Sequence, residues 1–264
     1  MPHETVDLKV ENGVAEITLN RPDRLNAWTD QLGSELRSAI LEDAAGDDVR
    51  AVLITGAGRG FSSGADVKEM LEQGSRGERP DVGTMLRERY HPIIKGIRQL
   101  PKPVIAAVNG PAVGIGCSLA LACDLIWAAE SAIFGLAVVN IGLVPDGGST
   151  FLVPVAVGKA RALEMALLGD PVSAPQALDW GLINRVVPDG KLMDEARGLA
   201  RKMAAGPTRS YAQSKRALNN SLMGIMDEQL DLEADIQGEM SRSEDFIEGI
   251  SAFVQKRDPA FKGR

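Results

Sequence analysis

The chain has 264 residues, 44% hydrophobic and 25% charged, with 36 acidic against 29 basic side chains and a formal net charge of −7. That length supports a sizeable core, and the acidic balance argues against a nucleic-acid partner, which needs clustered Lys and Arg. No apolar run reaches the ~20 residues of a membrane helix, and with only His3 and His91 a histidine-rich metal site is excluded.

The opening MPHETVDLKVENG is too polar for a signal peptide. Cys117 and Cys123 read as reduced thiols, so the cytoplasm is the expected location. VDLKVENGVAEITLN predicts two alternating strands around an Asn-Gly turn. TDQLGSELRSAILEDAA predicts an amphipathic helix with Thr29 as its N-cap. VRAVLITGAG reads as a buried strand entering a glycine loop, and DVKEMLEQ as a short helix. GSRGERPDVG is polar and rich in Gly and Pro.

Further on, GTMLRERYHPIIKGIRQLPKP predicts a helix stopped by its prolines, VIAAVNG another buried strand, and GCSLALACDLIWAA a helix followed by a strand. Strands alternating with helices at this spacing predict a mainly parallel sheet in an α/β fold. After about residue 190 the pattern is helical throughout. This divides the chain into a core, 1–190, and a helical C-terminal region, 191–264, expected to dock on the sheet or on a neighbouring subunit. No internal repeat is visible.

Two motifs invite readings that their context rejects. GFSSG, residues 60–64, matches the nucleophile elbow of serine hydrolases, but those need their acid and then their histidine far downstream, and the last histidine here, His91, comes only 29 residues after Ser62. TGAGRGFSSG with Tyr211 and Lys215 of YAQSK imitates a short-chain dehydrogenase. The glycine loop of that fold closes its first strand, whereas here a hairpin and a helix come first. The Tyr-Lys pair lies in an Ala/Arg/Lys-rich helix that reads as surface, and the small apolar residues of CSLALACDL read as core.

LITGAGRGFSSGADVKEM and VIAAVNGPAVGIGCSLALACDL share one plan: buried strand, small-residue turn, helix start. Helix N-termini present unpaired N–H groups. Two such turns brought together would aim two donors at one oxygen, an arrangement suited to a carbonyl becoming an enolate. With NRPDRLNA, FGLAVVNIGLVPDGGST and the closing AFVQKRDPAFKGR, these segments in this order resemble the crotonase (enoyl-CoA hydratase/isomerase) superfamily over essentially the whole length.

That resemblance implies a spiral of β-β-α units with a helical C-terminal trimerisation region. It also implies a homotrimer or dimer of trimers, an acyl-CoA substrate, and no cofactor beyond the coenzyme A that the substrate carries. By motif position it places the oxyanion donors on the backbone N–H groups of Ala65 and Ile115. The second position is more often glycine in the family, so Ile115 is a departure. The implied CoA contacts are Arg24, Leu25, Ala27, Ser63, Ala65, Asp66 and Val67, with Lys256 reaching a neighbouring subunit's CoA. Gly64, Val113, Gly114, Val138 and Ile141 complete the implied binding set, and the loop at 74–82 is expected to border the acyl pocket.

The family's hydratases use two glutamates, and the matching positions here are Ser118 and Val138. Neither side chain can activate water or deliver a proton. Asp146, between a proline and two glycines in GLVPDGG, takes the place used by double-bond isomerases and by the phenylacetate-pathway ring-epoxide isomerase subgroup, which ALLGD, GLINRVV and GPT also resemble. One carboxylate suffices to move one proton between two carbons. On residues alone Asp146 could equally be a turn or N-cap aspartate before a helix starting near Gly148. Two alternatives stay open: another crotonase reaction, and a non-catalytic acyl-CoA-binding paralogue. His91, 55 residues before Asp146, has the spacing of the histidine in aryl-CoA dehalogenases, but their tryptophan is absent from position 138.

Overall fold

The computed structural model describes residues 3–69, 71, 81–222 and 224–264. Strand β1 (Val6–Glu11) turns through Asn12 and Gly13 into β2 (Val14–Leu19), pairing Val6 with Leu19 and Glu11 with Val14. From β2 onward the sheet is parallel, in the order β2, β3 (Ala51–Gly56), β4 (Val104–Val108), β6 (Leu125–Ala129) and β9 (Arg185–Val187). Every residue of β3 and β4 is buried, as expected of parallel strands covered on both faces.

A small second sheet joins β5 (Ala112–Val113), β7 (Ile133–Gly135) and β8 (Val172–Ser173). Bridges from Ser62 to Ala112 and from Trp28 to Ala65 carry this layer back to the loop after β3. Strands of the main sheet are thus followed by a short extended piece in the second layer and then by a helix. The molecule repeats a β-β-α turn that no residue-level repeat announces. This is the β-β-α spiral that the resemblance implies.

Helix α1 (Asp30–Ser38) begins where Thr29 Oγ1 accepts the Leu32 N–H at 3.2 Å, and it buries Leu32 and Leu36. The predicted proline-stopped helix runs as α2 (Val82–Met85), a wide turn over Leu86–Tyr90, and α3 (His91–Gln99). Pro92 has no N–H to continue the ladder, and the widened turn, in which His91 N–H reaches Leu86 C=O, accommodates it. Helix α4 (Ile115–Ala122) is buried along its whole length.

Next come α5 (Ser149–Leu168), α6 (Ala174–Asp179), α7 (Leu192–Ala205), α8 (Thr208–Leu222), α9 (Met226–Met240) and α10 (Glu244–Gln255). Ala196, Ala200 and Ala204 of α7 are buried in a hydrophobic cluster that runs from Val6 to Ile250. The surface reading of Lys215 fails. Its ammonium is buried, donating to Asp124 Oδ2 at 2.8 Å and to the carbonyls of Ile97 and Lys102. No helix among the described residues is long and apolar enough to cross a membrane.

Candidate active site

Two backbone turns form one end of a cavity. In the bridge to Trp28, the Trp28 N–H donates to Gly64 O at 2.8 Å and the Asp66 N–H donates to Trp28 O at 2.9 Å. The intervening Ala65 N–H therefore faces the opposite side, and it has no protein acceptor among the described residues. Ile115 is the first residue of α4, where an N–H has no partner in the helical ladder. The two turns touch because Gly64 has φ +91° and no side chain. A Cβ there would lie 2.8 Å from Val113 O.

Ser63, Gly64, Ala65, Val113, Gly114 and Ile115 line a cavity of about 200 Å³. Its remaining wall is largely apolar, with Val67, Val82, Met85, Tyr90, Leu136, Val138, Ile141, Leu143 and Phe253. Asp146 is the one carboxylate among the described residues that line it.

Asp146 is 8% exposed. Burial pushes its carboxyl up to about 6, against the opposing pull of a hydrogen bond from Gln237 Nε2 at 2.6 Å. Its backbone oxygen accepts from Ser118 Oγ at 2.7 Å and from Ser149 Oγ at 2.8 Å. The loop can seat this closely because Gly147, at φ +63°, has no Cβ. One would fall 2.5 Å from Ile115 Cδ1 and 2.9 Å from Ser118 Cβ. Ser118, at a position that the resemblance gives to a hydratase glutamate, thus holds the backbone of the acid loop, and Val138, at the other such position, is cavity wall.

The capping role considered for Asp146 belongs to Glu233 of α9. Glu233 Oε2 accepts the Gly148 N–H at 2.8 Å, and Oε1 accepts the Thr150 N–H at 3.1 Å and the Thr150 hydroxyl. Burial, with Asp146 nearby, pushes Glu233 up to about 7. Tyr90 lines the cavity and packs edge-on against Trp28, with ring centroids 5.1 Å apart. Burial and the Asp146 charge hold its phenol above the usual range.

Other sequence-derived candidates fall elsewhere. Arg24, Leu25, Ala27, Asp66 and Lys256 do not line this cavity. The Asp66 carboxylate pairs with Arg21 at 3.2 Å, and the Ala27 carbonyl accepts from Arg21. Lys256 ends α10 as an exposed residue with φ 55°. His91 is buried outside the cavity lining, and burial followed by the charge of Lys95 pushes it down to about 4. Ser62 is fully buried, its Oγ donating to Asn26 O at 2.9 Å, which leaves no nucleophile elbow. Of the loop at 74–82, residues 74–80 lie outside the described residues, while Val82 lines the cavity.

Sequence reasoning missed Gln237, Glu233 and Tyr90. A signal for the first two existed. The buried stripe of α9 is Met226, Leu230, Glu233, Ala234, Gln237 and Gly238, so two polar residues occupy core positions and need buried partners.

Residues 9–264 match the family model described as enoyl-CoA hydratase/isomerase. The chain belongs to the enoyl-CoA hydratase/isomerase family. It is 45% identical over 255 residues to the 1,2-epoxyphenylacetyl-CoA isomerase of Escherichia coli strain K12, covering 97% of each chain. It is 42% identical over 264 residues to a probable enoyl-CoA hydratase of Rhodobacter capsulatus, covering 100% of both. A crystal structure of an enoyl-CoA hydratase from Mycobacterium avium subsp. paratuberculosis K-10 shares the fold with a TM-score of 0.88 at 39% identity, over 99% of this chain and 100% of that one. The family thus brings both isomerase and hydratase names, and the choice between reactions rests on the site.

Proposed function

We propose that this family member is an acyl-CoA isomerase that shifts a double bond, or rearranges a ring epoxide, through an enolate. The observation that carries this reading is the buried Asp146, the one carboxylate among the described residues that line a cavity whose end is formed by Ala65 and Ile115. The thioester oxygen sits between the Ala65 and Ile115 N–H groups. Asp146 takes a proton from the carbon beside the thioester carbonyl, and the electron pair moves onto the held oxygen. The same carboxyl returns the proton to the far carbon of the allylic system. A carboxyl raised to about 6 by burial is still ionised near neutrality and is a stronger base than an ordinary aspartate.

Hydration would need a second acid/base group, and Ser118 and Val138 offer none. The apolar wall suits a hydrocarbon or aromatic acyl group. We assign CoA binding to Arg24, Leu25, Ala27, Ser63, Asp66 and Val67, with Lys256 reaching the CoA of a neighbouring subunit. We further propose a homotrimer or dimer of trimers in the cytoplasm. The exposed Val155, Leu163, Leu167 and Leu168 on α5 suit a contact between copies.

The test follows conversion of Δ3- to Δ2-enoyl-CoA, and of a ring-epoxide acyl-CoA, by wild type and Asp146→Asn. Loss of about 10²–10⁴ in kcat is expected, and equal rates would refute the role of Asp146. Water addition to Δ2-enoyl-CoA at rates matching the isomerisation would favour a hydratase instead.

A further inference from the structure

Gln237 is fully buried and reaches the acid loop from 91 residues further along the chain. One backbone unit holds its amide at both ends: Val144 N–H donates to Oε1 at 3.3 Å, and Nε2 donates to Val144 C=O at 2.8 Å. Turning the amide over would set oxygen against oxygen and N–H against N–H, so this grip assigns its orientation. The second N–H of Nε2 is thereby aimed at Asp146 Oδ2, 2.6 Å away, and it cannot become an acceptor.

We propose that Gln237 is a positioning residue that makes the two oxygens of Asp146 inequivalent: Oδ2 is the anchored acceptor, and Oδ1 takes and returns the substrate proton. Oδ1 receives no hydrogen bond from the described residues and is not among the fully buried unpartnered atoms, and its residue lines the cavity. A protonated Oδ2 is the poorer acceptor for the Gln237 N–H, whereas a proton on Oδ1 leaves Oδ2 a full acceptor and keeps that bond intact. The inference rests on the reading of Asp146 as the acid/base. In each half-reaction the substrate C–H bond and the Oδ1–H bond exchange, with the electron pair stored on the thioester oxygen, so no other reactant is needed.

Among the described residues, two other titratable groups face Asp146: Tyr90, just before α3, and Glu233 of α9. Neither is altered in the variants that follow. Because the amide N–H favours the ionised carboxylate, its loss moves protonation of Asp146 to higher pH.

The experiment compares wild type, Gln237→Met, which keeps bulk without a donor, and Gln237→Glu, which keeps an acceptor for Val144 N–H. The Asp146 ¹³Cγ resonance, assigned against Asp146→Asn, is titrated alongside the pH profile of kcat/KM for enoyl-CoA isomerisation, with melting curves as the folding control. In Gln237→Met the titration midpoint and the acid limb are expected to rise together by about one pH unit. A kcat loss of about tenfold and little change in KM should accompany them, because the base is misplaced while the binding wall is intact. In Gln237→Glu the Asp146 titration should split into two coupled steps. An unmoved midpoint in folded Gln237→Met overturns the proposal. Should that variant not fold, a single unshifted step in Gln237→Glu overturns it equally. A midpoint that moves while the acid limb stays in place instead refutes Asp146 as the acid/base, and with it the role of Oδ1.

Discussion

Glu233 Oε2 accepts the Gly148 N–H at 2.8 Å, so the carboxylate at the head of α5 comes from α9, 85 residues away, and not from the neighbouring Asp146. Glu233 also takes the Thr150 N–H and hydroxyl, and Thr150 Oγ1 accepts from Gln229 at 2.8 Å. One helix therefore grips both sides of the acid loop, Gln237 before Asp146 and Glu233 after it.

If that grip stabilises the loop, Glu233→Ala leaves two backbone donors without an acceptor in a buried place. The expected loss is about 3 kcal/mol of unfolding free energy, read from denaturant midpoints. Glu233→Gln keeps one acceptor oxygen and should lose about half as much. An alanine variant as stable as wild type would mean that the cap contributes nothing.

Asp146 makes its own contribution to the pH dependence of stability, beside those of Glu233 and His91. Its folded value of about 6 exceeds its ordinary 3.8, so between these pH values the folded chain holds a proton that the unfolded chain has released. Stability conferred by that proton is present below about 3.8 and is lost as pH rises through 6. Asn cannot titrate, yet it can still accept from Gln237. Asp146→Asn should therefore match wild type near pH 4 and exceed it at pH 8 by on the order of 2–3 kcal/mol. Denaturation at the two pH values decides this, and parallel curves would contradict burial as the cause.

At Gly147, alanine requires both a left-handed φ of +63° and space that Ile115 and Ser118 occupy. Gly147→Ala should cost about 1–3 kcal/mol and lift the loop off α4, lowering kcat by tenfold or more. Ser118→Ala removes one of the hydrogen bonds to the Asp146 carbonyl and should cost only about 1 kcal/mol. Paired melting and rate measurements separate them, and a larger defect in Ser118→Ala would reverse the assignment.

Lys215 is a brace, far in function from the short-chain dehydrogenase lysine that its motif imitates. Lys215→Ala strips Asp124 of its nearest cation while Arg98 stays 3.3 Å away. The expected loss is about 3 kcal/mol, with kcat/KM unchanged for the folded fraction. An isolated collapse of kcat/KM without destabilisation would show that the brace reading is wrong.

Much of the fold was legible because its signals are local. The Asn12–Gly13 turn, the Thr29 cap, the mostly apolar β3 and the all-apolar β4 each depend on residues a few positions apart. The spiral was not legible as a repeat, since β5 and β8 are two residues long and carry no periodicity. Lys215 looked exposed because composition describes the helix, whereas its partners are Ile97 of α3 and Asp124 in the turn before β6.

By itself, the sequence determined that two glycine turns end at helix starts and that Asp146 sits in an apolar, proline- and glycine-bounded loop without the hydratase glutamates. Tertiary structure alone decided what surrounds that carboxylate. It set Ser118 beneath the loop backbone, turned His91 away from the cavity, and brought Gln237 and Glu233 to either side of Asp146. The reason is physical: burial and hydrogen-bond orientation at Asp146 come from side chains some 30 to 90 residues distant in the chain, which meet only when α4 and α9 pack against one loop.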